Sequence, residues 1–131
     1  MPRFHAASFI LLIPFFAACS KGTKSDVRII VTSDSHNALI EKSPRPVILE
    51  FWAPWCGPCK KIDPILAEIS IENTNVVIGK VNVDEQANLA AQYEIQAIPT
   101  LVLVVNGKAM RRNVGLLTKN EVNNFIDGTN R

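Results

Sequence analysis

The chain has 131 residues, 47% of them apolar, which is enough for one domain with a packed core. Its 14 Lys and Arg stand against 12 Asp and Glu, a net charge of +2, and this excludes the one-sided basic excess of a nucleic-acid binder. There is no long like-charge run, low-complexity tract or internal repeat.

In chain order, Met1 to His5 supply one fixed positive charge at Arg3, and Ala6 to Ala18 (AASFILLIPFFAA) are almost wholly apolar. About a dozen residues interrupted by Pro14 are too few to span a bilayer, which takes about 20. A basic start, a short apolar middle and small residues at its end describe a secretory signal over residues 1–18. Phe16-Ala17-Ala18-Cys19 resembles the lipobox of bacterial lipoproteins, with Phe16 where leucine is usual. That resemblance implies cleavage before Cys19 and a diacylglyceryl group on its sulfur. An ordinary cleaved signal with Cys19 as a spare thiol, or an uncleaved anchor, are the other readings. Residues 19–25 form a short polar tether, whose segment Ser20 to Ser25 reaches about 20 Å at roughly 3.3 Å per residue. The expected location is the outer, periplasmic side of a bacterial membrane, with the domain at 26–131 held near its surface. Ser20 in place of Asp would, by the same resemblance, favour outer-membrane sorting.

Val27 to Val31 are rich in β-branched residues and predict a first strand. Ser33-Asp34 offers a cap for a helix over His36 to Lys42, which Pro44 and Pro46 end. Val47 to Trp52 (VILEFW) is a nearly continuous apolar run, as expected of a strand buried on both faces, with Glu50 its one charge. From Gly57 to about Glu72, Ile62, Ile65, Leu66 and Ile69 form one helical stripe, with Pro64 predicting a kink. Val76 to Ile78 and Val81 to Val83 predict the third strand, and Asp84 is the expected cap of a helix carrying Leu89 and Tyr93. Thr100 to Val105 is the fourth strand; Asn106-Gly107 turns into a fifth over Lys108 to Val114, since both turn positions tolerate positive φ. Thr118-x-x-Glu121 is a capping box opening a last helix with Val122, Phe125 and Ile126 inward. This alternation predicts an α/β fold: a central sheet, helices on both faces and an antiparallel edge.

The three cysteines are Cys19, Cys56 and Cys59. A C-x-x-C pair that follows a buried strand and opens a helix has a specific chemistry, because free N–H groups and a partial positive charge at the helix start stabilise a thiolate. Only the thiolate attacks a disulfide. Cys56 is the expected nucleophile and the more exposed sulfur; Cys59, one turn on, is placed to resolve the mixed disulfide. Gly57-Pro58 holds the turn, where a missing N–H costs nothing. Zinc would need four ligands, whereas after signal removal only Cys56, Cys59 and His36 remain. A purely structural bridge across so short a loop would restrain the unfolded chain little.

Phe51-Trp-Ala-Pro-Trp-Cys-Gly-Pro-Cys-Lys60 is similar to the active-site segment of thioredoxins, and the likeness runs from about Val27 to the C-terminus. The resemblance implies a five-stranded mixed sheet flanked by four helices, no cofactor beyond a redox-active Cys56–Cys59 disulfide, and protein dithiols or disulfides as substrates. Ile98-Pro99-Thr100 resembles the family's cis-proline segment, which binds extended substrate backbone; the alternative, a trans turn residue at Pro99, is disfavoured by Ile98 and Thr100. Val114-Gly115 resembles the glycine that lets substrate approach, although Gly115 would also serve simply to end a strand. Trp55, Gly57 and Pro58 would shape the substrate rim with Ile98, and Trp52 would pack. Glu50 stands where the family usually has Asp beneath the resolving cysteine, and Lys80 resembles the lysine near that acid. A buried carboxyl is pushed toward general acid/base work near neutral pH, so Glu50 reads either as a proton shuttle or as a structural polar group.

The functional expectation is a thiol–disulfide oxidoreductase, acting as a monomer and reducing disulfides of exported proteins. Such a reductase needs an external membrane electron donor. An oxidase or isomerase using the same cysteines, or a non-catalytic binding module, are the alternatives.

Overall fold

The structure, a computed structural model, describes residues 25–128. The expected signal peptide, the lipobox with Cys19 and the tether up to residue 24 lie outside the described residues. Within them the elements run β1 (Ile29–Ile30), α1 (Ser33–Lys42), β2 (Val47–Trp52), α2 (Gly57–Glu72), β3 (Val77–Asn82), α3 (Ala87–Gln92), β4 (Thr100–Val105), β5 (Lys108–Val114) and α4 (Lys119–Asp127). The sheet order is β1-β3-β2-β4-β5. β3 pairs parallel with both β1 and β2, while β4 pairs antiparallel with β2 and with β5. This is the expected five-stranded mixed sheet with four helices.

Alternation along β2 separates the two faces. Val47, Leu49 and Phe51 join Ile40, Val81 and Leu89 in the core beneath α1 and α3. Ile48 joins Ile62, Leu66, Ile69, Val122 and Ile126 beneath α2 and α4. Glu50 and Trp52 therefore point to the α2 side. His36, buried on α1, shares a 2.7 Å hydrogen bond with the Tyr93 hydroxyl.

Several boundaries differ from expectation for local reasons. The first strand shrinks to Ile29–Ile30: just before it the Arg28 N–H donates to Asp26 Oδ1 at 3.0 Å, a donor spent within the segment and not across the sheet. α1 begins at Ser33, capped by Thr32 in a reciprocal box with Ser35, so neither Ser33 nor Asp34 is the cap. β3 is continuous through Gly79, where a Cβ would lie 2.7 Å from Val31 Cγ2 and 3.2 Å from Leu49 Cδ2. Asp84 does not cap α3; Gln86 occupies that position without a capping side-chain bond, its Oε1 accepting from Ser33 instead, and Tyr93 falls just past the helix end. Pro64 lies inside α2, as expected, and removes one main-chain donor from the helix. The Asn106-Gly107 turn has positive φ at both positions, 50° and 78°, and the Thr118–Glu121 capping box forms.

The outermost strand is tied down on both sides. Arg111 donates to the carbonyls of Phe125 and Gly128 at the end of α4, and Arg112 donates to those of Tyr93 and Glu94 just beyond α3. A cation at a helix C-terminus is favourable against the helix dipole.

Candidate active site

Cys56 is the N-cap of α2, with the extended backbone of a cap (φ −81°, ψ 110°). Its sulfur accepts the Cys59 N–H at 3.2 Å, so one free donor of the helix start points at the expected nucleophile. Cys56 and Cys59 are joined in a disulfide with Cα atoms 5.3 Å apart. Both are buried, Cys56 at 4% and Cys59 at 2% exposure, so in this oxidised state the expected contrast between them is slight. Ala53, Trp52, Val83 and Ile98 pack around the pair. Gly57 and Pro58, by contrast, are exposed on the first turn.

The rim is built by residues distant in sequence. Trp55 is 69% exposed, and its indole N–H donates to Asp84 Oδ2 at 2.9 Å. That bond is what Asp84 does in place of capping. Trp55 and Ile98 line a groove of about 390 Å³ with Val83, Ala90, Ile95 and Ala97. The Ile98–Pro99 peptide is cis, as the resemblance implied. Thr100 Oγ1 donates to Ala97 O at 2.6 Å beside it. Gly115 donates its N–H to Pro99 O at 2.8 Å. Its φ of 99° requires glycine even though no atom lies within 4 Å of where a Cβ would stand.

On β2, the strand that leads to the cysteine pair, the Glu50 carboxyl is fully buried, and neither of its oxygens has a hydrogen-bond partner. Burial pushes its pKa up to about 7, against the nearby positive charge of Lys80. Glu50 and Lys80 are register partners across β2 and β3, yet the Lys80 ammonium does not bond Glu50. It pairs with Asp63 Oδ1 and sits 4.5 Å over the Trp52 ring. Asp63 also takes Arg28 Nη1 at 2.7 Å, and Arg28 reaches Asp26 through Nε at 2.9 Å. The Arg28 hydrogen bond chiefly holds Asp26 down to about 2. Asp63 is lowered too: burial would raise it, and the hydrogen bonds from Arg28 and Lys80 outweigh that. A cavity of about 230 Å³ is lined by Trp52, Cys59, Lys60, Asp63 and Lys80, which brings the Asp63–Lys80 pair and Cys59 to one hollow.

Of the residues singled out in the sequence, Cys56 and Cys59 pack with Ile98, Gly115 bonds Pro99, and Lys80 stands across the strands from Glu50. Sequence reasoning missed the bonds of Asp63, Arg28 and Asp84. Asp63 reads from sequence as an ordinary polar helix position, and nothing along the chain signals a partner 35 residues away. Among the described residues, no cluster of three His, Cys, Asp or Glu side chains could hold a metal ion.

A family model described as Thioredoxin matches residues 27–128. The thioredoxin of Acidithiobacillus ferridurans is 44% identical over 104 residues, covering 79% of this chain and 96% of that one. The thioredoxin of Haemophilus influenzae is 42% identical over 104 residues, with the same coverage of 79% and 96%. The chloroplastic thioredoxin M5 of Oryza sativa subsp. japonica is 34% identical over 128 residues, covering 96% of this chain and 74% of the relative. The disulfide at the head of α2 is where this fold does its chemistry, and at such identity and coverage the chain belongs to the thioredoxin family, as a protein-disulfide reductase.

Proposed function

We propose that this chain reduces disulfides of exported proteins from the outer face of a bacterial membrane, held there through Cys19. In the first step the Cys56 thiolate attacks one sulfur of a substrate disulfide, and the other substrate sulfur leaves with the electron pair of the broken bond. Cys59 then gives its proton to the Glu50 carboxylate. The Cys59 sulfur attacks Cys56, the Cys56–Cys59 bond forms, and the second substrate thiolate departs. Two electrons have passed to the substrate. An external dithiol, supplied by a membrane relay, must return them.

The observation that carries this reading is the buried Cys56–Cys59 disulfide at the start of α2; a Glu50 carboxyl with no hydrogen-bond partner, on the strand that leads to it, supports the proton step. A buried polar group kept for structure is ordinarily bonded; an unbonded one that titrates near neutrality suits proton transfer. Trp55, Ile98 and Pro99 would receive the substrate chain along the groove, with the exposed Gly57 and Pro58 at the rim. The signal-like segment at residues 1–18 and the lipobox resemblance at Cys19 support export. One copy per unit is the simplest arrangement for a protein whose substrates are other proteins.

Trapping tests both chemistry and place. Cys59→Ser should accumulate mixed disulfides through Cys56, and their partners should be exported proteins with paired cysteines. Recovery of only cytoplasmic partners would overturn the export reading. No trapped species at all would overturn the division of labour between the two sulfurs.

A further inference from the structure

We propose that Asp63 is a positioning residue for the second half of the exchange: by holding the Lys80 ammonium on its own carboxylate, it keeps that cation off Glu50 and leaves Glu50 free to take the Cys59 proton. The inference rests on the reading of Glu50 as the proton acceptor.

Neighbouring strands lie about 4.8 Å apart, and Lys80 is the register partner of Glu50 on β3. A lysine there, beside a buried carboxyl without any partner, would be expected to turn inward and pair with it. Instead the ammonium is drawn to Asp63 on α2 and steadied over Trp52 at 4.5 Å. Arg28 makes Asp63 a better trap. Its Nη1 donates to Asp63 Oδ1 at 2.7 Å, a bond that favours the ionised carboxylate, and to the Asp63 main-chain carbonyl at 3.0 Å, which holds the guanidinium in place. Asp26, just before β1, orients Arg28 in turn through Nε at 2.9 Å.

The charges that act on Glu50 are Lys80 from β3, Asp63 from α2 and Arg28 from the segment before β1; Cys59 and Lys60 line the cavity that Asp63 and Lys80 share, and Asp26 binds Arg28. β4, the other flanking strand, presents Leu101 opposite Glu50 and no charge. Two of these act on Glu50 in opposite senses: Lys80 favours its ionised form and Asp63 its protonated form. Pairing the two with each other keeps their combined effect small. Were Lys80 released, it would bind Glu50, stabilise the carboxylate, and make it a weaker base toward a thiol.

The test is the pH dependence of single-turnover reduction of a cystine-bridged peptide by the reduced full-length protein, followed from about pH 5 to 9. Asp63→Asn should move the acid-side midpoint of the resolution step down by about one unit, the scale for an opposite charge brought within contact distance. In a Lys80→Met background the same change should move it far less, because the cation it releases is gone. Asp63→Glu, which keeps the carboxylate, should restore the original midpoint. That rescue is not expected if Asp63 merely packs. A midpoint unmoved or raised by Asp63→Asn, or a shift of equal size with and without Lys80, would overturn the proposal. Glu50→Gln separates the two levels. If the acid limb survives in that variant, the Glu50 reading falls and this one with it; if the limb is lost there but unmoved by Asp63→Asn, only the role of Asp63 falls.

Discussion

Glu50→Gln should make the oxidised protein more stable at alkaline pH while slowing its resolution step. The folded protein raises the Glu50 pKa from an ordinary 4.5 to about 7, chiefly through burial. Below about 4.5 the carboxyl is protonated in folded and unfolded chains alike, so the native and variant proteins should match closely. As pH rises, the unfolded chain loses this proton first; the folded state then binds more protons, and stability falls until about pH 7, where the cost levels off. That span is about 2.5 units at about 1.4 kcal/mol each, hence about 3 kcal/mol. Glutamine keeps the shape and cannot ionise, so the variant avoids the loss. Urea denaturation of the disulfide-bonded proteins at about pH 4 and pH 8 would read it, as a midpoint difference of roughly 1–3 M at the higher pH only. An advantage of equal size at both values, or none at pH 8, would refute the view that Glu50 is buried as a strained carboxylate.

Gly79→Ala should cost about 1–3 kcal/mol by crowding Val31 and Leu49; guanidinium denaturation would measure it, and an unchanged midpoint would mean that the Val31 and Leu49 side chains yield easily. Thr118→Ala removes one half of a capping box and should lower stability by about 1 kcal/mol, or roughly 4–8 °C in Tm. A thermal melt that does not move would show that the Lys119 salt bridges to Glu68 and Glu72 hold α4 without its cap.

The order of elements was legible because each depends on near neighbours. The stripe from Ile62 to Ile69 predicts a helix wherever it packs, and Asn106-Gly107 predicts a turn from φ alone. The cysteine pair was legible for the same reason, since strand, turn and helix start are contiguous. Asp84 misled because an Asp before a helical segment is ordinarily a cap, whereas here a tryptophan 29 residues earlier claims its carboxylate. The shortening of β1 has the same origin: Arg28 answers to Asp26 and Asp63 rather than to its strand neighbours. Lys80 was found as a residue near Glu50, but its allegiance to Asp63 was invisible. Long-range competition between charges has no linear pattern to betray it.

The arginines of β5 also bear on how this chain behaves in a crowd. An open sheet border is a template on which a stray strand can polymerise. Here one border, β1, is two residues long and offers too little backbone to zip onto. The other carries adjacent guanidinium groups, Arg111 and Arg112, clasped to opposite flanks of the domain. An incoming strand would have to settle beside both charges, so the border that is long enough to seed a fibril is the one guarded against it.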